Sequence, residues 1–201
     1  MTSPAVPDHD AWSPWHPAEL GRRLRGIDRP WCIVGGWALD LWHGHQTREH
    51  EDLEFTVLRD DLPAFRETLS GLDFFATGSG NVEPLPDGVD PPSDIFQIWC
   101  LDPVARRWRV DMMIEPGTPG DWVYKRDTRI VRPRAEMVEF TPDGLPYLKP
   151  AAILLFKAKH ARAKDEIDFA TALPRLPEGE RAWLKDCLAL PHPGHPWIGA
   201  L

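Results

Sequence analysis

The run IVGGWALDLWHGHQTREHEDLEF, residues 33–55, decides how the 201-residue chain reads. It opens inside a short apolar stretch, Trp31 to Val34, of the kind that forms a buried strand. Gly35 and Gly36 break that stretch, and Trp37 to Trp42 then reads as a short helix. After the polar segment Gly44 to Glu51, residues Asp52 to Leu58 alternate strictly. Asp52, Glu54 and Thr56 share one face of a strand, and Leu53, Phe55 and Val57 share the other.

Two carboxylates at i and i+2 project together and raise each other's pKa unless a counter-charge is present. A divalent cation supplies one, and magnesium favours hard oxygen ligands together with substrate phosphates. The rival reading of Asp52 and Glu54 is the solvated face of an edge strand. Gly35-Gly36 weighs on the first side. A strand end that becomes a helix start offers backbone N–H groups and a helix dipole to a phosphate. Glycine there lets the phosphate approach the backbone without meeting a Cβ.

Outward from this run, Ala18 to Gly26 has helical spacing, and Asp60 to Leu72 repeats it with Leu62, Phe65 and Leu69. Phe74 to Thr77 and Asp94 to Leu101 are candidate strands around the loop Gly78 to Ser93. Trp108 to Ile114 is a further strand. Its Trp108, Val110, Met112 and Ile114 share one face, while Asp111 lies on the other beside Arg109 and Met113. Trp122 to Tyr147 is β-rich, with a turn at Pro142-Asp143-Gly144. From Pro150, a residue suited to a first helical turn, Ala151 to Ala172 is expected to form one long helix ended by Pro174 and Pro177. Gly179 to Leu190 gives another. The order predicts an α/β (α+β) fold, a twisted mixed sheet flanked by helices, with an irregular arm at 1–17, the sheet domain at 18–147 and a helical C-terminal part at 148–201.

The quoted run resembles the N-terminal motif of polymerase-β-like nucleotidyltransferases, and among them the aminoglycoside 2''-adenylyltransferases and lincosamide-modifying enzymes. The matching positions are Gly35, Gly36, Trp37, Ala38, Gly44, Thr47, Arg48, His50, Asp52 and Glu54. The resemblance extends to Val110-Asp111 and to Gly144–Asp168, about half of the chain in all. It departs at Glu54, where many members carry aspartate. It implies a nucleotidyltransferase fold, ATP or another nucleoside triphosphate as substrate, and two magnesium ions. A small-molecule hydroxyl, such as one on an aminoglycoside-like antibiotic, would attack the α-phosphate in line as pyrophosphate leaves. Asp52 and Glu54 would ligate metal. Asp111 would ligate the catalytic metal or accept the hydroxyl proton, and the Gly35-Gly36 amides would hold the triphosphate. Two other readings keep the fold: transfer to a protein or tRNA acceptor, as in toxin–antitoxin systems, and a catalytically silent nucleotide-binding regulator.

Several further residues carry two readings each. Arg48 presents a planar fork suited to phosphate, or it pairs with Glu49, Glu51 or another acid nearby. His50 reads as structural. Lys157 and Lys164, seven residues apart, would share a face of the long helix with Asp168, and both are candidate triphosphate contacts. Lys159 reads as solvent-facing. Ile153, Leu154, Phe156, Ile167 and Phe169 are expected in the core. Of the ten tryptophans, Trp37, Trp42, Trp99 and Trp122 either pack in the core or stack on a base or sugar-like ligand.

A net charge of −8 argues against nonspecific nucleic-acid binding, which depends on basic residues neutralising phosphates. Cys32, Cys100 and Cys187 are odd in number and widely spaced, so no disulfide framework or zinc knuckle follows. Residues 1–20 lack a basic segment followed by an apolar one, and no stretch is long enough to span a bilayer. A cytoplasmic protein is the expectation.

Overall fold

The computed structural model describes residues 6–201; the first five residues of the expected arm lie outside the described residues. The strands are β1 Trp31–Ile33, β2 Glu54–Leu58, β3 Asp73–Gly78, β4 Asn81–Pro84, β5 Gln97–Asp102, β6 Arg107–Glu115, β7 Asp121–Val123, β8 Val131–Pro133, β9 Val138–Phe140 and β10 Pro146–Leu148. The helices are α1 Pro17–Arg23, α2 Gly35–His43, α3 Leu62–Thr68, α4 Arg134–Met137, α5 Pro150–Lys157, α6 Ala163–Ala172, α7 Glu178–Ala189 and α8 Trp197–Ala200.

Among the described residues one sheet runs in the order β4-β3-β5-β6-β2-β1-β10-β9. β2 lies parallel to β6, and β1 parallel to β10, while the other pairs are antiparallel. The sheet is therefore mixed, and helices flank it as the sequence predicts. β7 and β8 form a separate ribbon. β4 falls inside the stretch read as a loop. Its residues alternate between exposed and half-buried at the sheet edge, so little hydrophobic pattern marks it.

The alternation in β2 does what it promised. Phe55 and Val57 are buried, and Phe55 meets Phe65 of α3 with ring centroids 5.9 Å apart. One apolar cluster joins these residues to Ile153, Leu154 and Leu155 of α5 and to Leu184 and Leu188 of α7, so sheet and C-terminal helices share a core. Trp122 packs edge-on against Phe156 and tilts against Trp183. The C-terminal Trp197 stacks on Phe169 at 4.1 Å and donates its indole N–H to Glu166. The three cysteines are buried and free. Among the described residues no helix is long and apolar enough to cross a membrane.

Two expectations need correction. The predicted helix over Ala151 to Ala172 is two helices, α5 and α6, with a turn between them in which Ala161 takes φ +42°. Asp165 holds the break: it accepts hydrogen bonds from the backbone N–H of Arg162 (3.0 Å) and from its Nε (2.9 Å), closing the start of α6. Lys157 and Lys164 thus lie on different helices, and Lys164 and Asp168 form no ion pair. The expected core residue Ile167 is 59% exposed, because α6 turns its other face inward through Phe169 and Ala172.

The arm is less free than its composition suggests. Trp108 N–H donates to Ala11 C=O, and Ser13 and Trp15 N–H donate to the carbonyls of Trp108 and Arg109, each at 3.0 Å. The arm runs beside the first half of β6, where β2 has not yet begun.

Candidate active site

Register brings distant acids together. Glu54 is the direct neighbour of Asp111 across the parallel β2–β6 pair, and Asp111 is in turn the neighbour of Trp99 across β6–β5. On the other side of β2, Val34 N–H donates to Glu54 C=O at 3.0 Å, which sets Gly35 beside Glu54. The order across the sheet is thus Trp99, Asp111, Glu54, Gly35, in steps of about 4.8 Å per strand. Asp52 precedes β2 and lines the same cleft of about 280 Å³.

The glycine pair does something the sequence reading did not assign to it. Gly35 has φ +66°, and a Cβ there would collide with the Glu54 carboxylate. A Cβ on Gly36 would come within 2.5 Å of Arg48 Nη2 and of the His50 ring. The missing side chains make room for functional groups of the protein itself. Gly36→Ala is expected to cost about 1–3 kcal/mol through overpacking, seen as a lower urea midpoint. A midpoint equal to the parent's would contradict the packing described.

Thr47, Arg48 and His50 are locked to α2 and α6. Asp40 accepts hydrogen bonds from Thr47 N–H (3.0 Å) and Oγ1–H (2.5 Å) through one oxygen, and contacts His50 Nε2 at 2.5 Å through the other. His50 Nδ1 lies 3.0 Å from Arg48 Nη1. Arginine is always a donor, so Nδ1 accepts and Nε2 carries the proton given to Asp40. Arg48 then reaches Asp168 by a fork, Nε to Oδ1 at 2.9 Å and Nη2 to Oδ2 at 3.0 Å. The acid that pairs with Arg48 is Asp168, 120 residues away, and not Glu49 or Glu51.

The two lysines also reach the cleft with acids attached. Lys157 Nζ lies 2.7 Å from Asp168 and 3.2 Å from Asp165, well buried. Lys164 Nζ lies 2.9 Å from Glu51, an exposed pair that solvent screens heavily. Arg48, Lys157 and Lys164 all line the cleft, as does Arg162.

The floor of the cleft is electrostatically strained. Burial first, and then the Asp52 charge, push Glu54 up to about 7. Burial, followed by the Glu54 charge, raises Asp111 well above the ordinary carboxylate range. Gln97 donates to Asp111 Oδ2 at 2.8 Å, while Asp111 Oδ1 is buried with no hydrogen-bond partner. A buried carboxylate oxygen without a donor is costly unless a cation meets it, and these are the hard oxygen donors that magnesium takes. The sequence reading has all three acids close enough to share one ion. Among the described residues no three His, Cys, Asp or Glu side chains stand as a ready-made metal group. The reason is local: Asp52 sits before the strand, Glu54 turns toward Gly35, and Asp111 turns one oxygen to Gln97.

The comparisons bear on this arrangement. Residues 18–82, about a third of the chain, match the aminoglycoside-2''-adenylyltransferase family. No curated protein sequence matches the chain. Among solved structures, the antibiotic-resistance factor ANT(2'')-Ia in solution superposes with a TM-score of 0.52 at 16% identity, covering 85% of this chain and 88% of that one. The crystal structure of ANT(2'')-Ia with adenylyl-2''-tobramycin gives 0.51 at 16% identity, covering 84% and 94%. This is a nucleotidyltransferase fold. Over its matched segment the chain is aminoglycoside-adenylyltransferase-like.

Within this nucleotidyltransferase fold the sequence reading missed Gln97, Trp12 and Arg162 among the cleft residues and left Trp99 between two roles. Gln97 and Trp12 gave no signal, since one amide and one tryptophan carry no spacing. Trp99 was noted only as one of several aromatic candidates. Arg162 was hidden by the assumed continuous helix, although Asp165, three residues on, is the side chain a capping interaction needs.

Proposed function

We propose that the chain is a magnesium-dependent nucleotidyltransferase that moves AMP from ATP to a hydroxyl of a small, aminoglycoside-like molecule. The observation that supports this most directly is the register of Glu54 with Asp111 beside the Gly35 turn. The basic groups of α5, α6 and the loop before β2 gather at the same cleft.

Asp52 and Glu54 are the proposed metal ligands, with Asp111 completing the set and taking the hydroxyl proton through its unpartnered Oδ1. Bound magnesium supplies positive charge that screens the triphosphate and stabilises the entering and leaving oxygens. The amides at the start of α2, next to Gly35 and Gly36, receive phosphate oxygens. Lys164 exchanges its exposed partner Glu51 for phosphate at little cost. Arg162 adds charge from the start of α6. Arg48 and Lys157 face the phosphates while remaining tied to Asp168, which fixes them in place before substrate arrives. Arg48 has four of its five N–H groups engaged with Asp168, Glu49 and His50, so its role here is chiefly to position.

The test is incubation with magnesium, tobramycin and ATP labelled at the α-phosphate. Labelled tobramycin and free pyrophosphate are expected from the parent protein, and neither from Asp52→Ala. Full turnover by Asp52→Ala would remove the assignment.

A further inference from the structure

We infer that Trp12, brought in by the N-terminal arm, and Trp99 form the acceptor wall of the cleft, and that this wall takes a saturated ring bearing hydroxyl and amino groups. The inference rests on the proposed nucleotidyl transfer and locates the acceptor within it.

The order of groups across the sheet separates two sides. Gly35, with Arg48 over Gly36, stands beyond Glu54 at one end, and Trp99 stands beyond Asp111 at the other. In-line displacement needs the attacking hydroxyl and the leaving pyrophosphate on opposite sides of the α-phosphorus. With the triphosphate at the glycine end, the attacking hydroxyl comes from the Asp111 end, where the side chains facing it are Trp99, Gln97 and Trp12.

Two buried polar atoms without a well-formed hydrogen bond face each other at that end. Trp99 Nε1–H is buried beside the Asp111 carboxylate, the acceptor it addresses, without making a well-formed hydrogen bond to it. Asp111 Oδ1 is buried and finds no donor. Buried polar groups normally have partners, and an indole N–H can only donate. One substrate hydroxyl satisfies both, accepting from Trp99 and giving its proton toward Asp111. Gln97 already holds Oδ2, so Oδ1 is the oxygen left for it.

Trp12 extends the surface. It stands edge-on to Trp99 with centroids 5.2 Å apart, and three backbone hydrogen bonds between the arm and β6 hold it there. Both indoles remain partly exposed, whereas Trp108 behind them is fully buried. Indole faces give apolar contact to the C–H face of a saturated ring and attract protonated amino groups. The acidic floor of Asp52, Glu54 and Asp111 suits the same positive ligand.

The experiment is calorimetry with two probes, a nonhydrolysable ATP analogue with magnesium and then tobramycin, on the parent, Trp12→Ala and Trp12→Phe. Trp12→Ala is expected to weaken tobramycin at least tenfold while analogue affinity stays within twofold, and Trp12→Phe to recover most of the loss. Preserved analogue binding also shows that the variant is folded. Unchanged tobramycin binding in Trp12→Ala overturns the inference. So does an equal loss of both ligands, which would put the nucleobase on the indole, or a parent that binds the analogue but not tobramycin; the last leaves nucleotidyl transfer standing. A parent that binds neither overturns the functional reading as well.

Discussion

Asp111→Asn is expected to lower nucleotidyl transfer about a thousandfold while leaving the protein at least as stable as the parent. The loss follows from removing the proposed proton acceptor, a role worth about 10²–10⁴ in rate. The stability follows from the surroundings. Asp111 is 3% exposed and faces Glu54 across the β2–β6 pair, so burial and a like charge both oppose its ionised form. Asparagine has the same shape, still accepts from Gln97, and removes the repulsion. A gain on the order of 1 kcal/mol would raise Tm by about 2–4 °C in a chain of this size. A transfer assay and a metal-free thermal melt read the two halves separately. An acid kept for structure would behave the other way, losing stability on substitution and leaving turnover alone. Opposite movements of stability and activity are what a functional site built at the expense of folding shows.

Asp168→Ala, which removes the acid behind the cleft that holds Arg48 and Lys157, is expected to be more destabilising than a change to any charged residue lining the cleft. Asp168 is 4% exposed and receives both Arg48 and Lys157. Its removal leaves two partly buried cations with less compensation, at a cost of about 3–5 kcal/mol. The urea midpoint measures this, and a shift below about 1 kcal/mol would show that the network contributes little. The pH dependence has a definite sign. Burial raises the pKa of Asp168, but Arg48 and Lys157 outweigh it and hold the carboxyl below its ordinary range. The stabilisation is therefore complete above the unfolded-state pKa near 3.9 and is lost as pH falls through the lower folded value. The parent should lose this contribution in acid, and Asp168→Ala should have none to lose. Asp168→Asn keeps an acceptor for Arg48 and should be less destabilised than Asp168→Ala, yet it does not titrate and should likewise have no such contribution to lose in acid.

How much of this was legible in the sequence depends on the range of the interaction. The alternation of Asp52 to Leu58 and the lone acid in Trp108 to Ile114 are local patterns, and they put Glu54 and Asp111 on strands; that these strands are neighbours is seen only in the structure. Gly35-Gly36 was correctly read as a strand end and a helix start, but its purpose was not. Only the folded structure shows that Glu54 from one element and Arg48 and His50 from another occupy the space where Cβ atoms would be. Asp168 looked like part of a helical ion-pair stripe because the 158–162 break leaves no proline or glycine as a mark. Ala161 in a left-handed conformation and an arginine opening α6 are choices that tertiary packing imposes against local preference. Trp12 lay in a segment without period. Its position comes from hydrogen bonds to β6, nearly a hundred residues distant.

The central claim is that Asp52, Glu54 and Asp111 act as one cation site on which nucleotide binding depends. Titrating the nonhydrolysable ATP analogue into the protein by calorimetry, with magnesium and then with chelator, tests it most directly. Binding that requires magnesium in the parent and is lost in the Glu54→Gln variant is the predicted result. Equal affinity with and without magnesium, or full magnesium dependence surviving in Glu54→Gln, would contradict it.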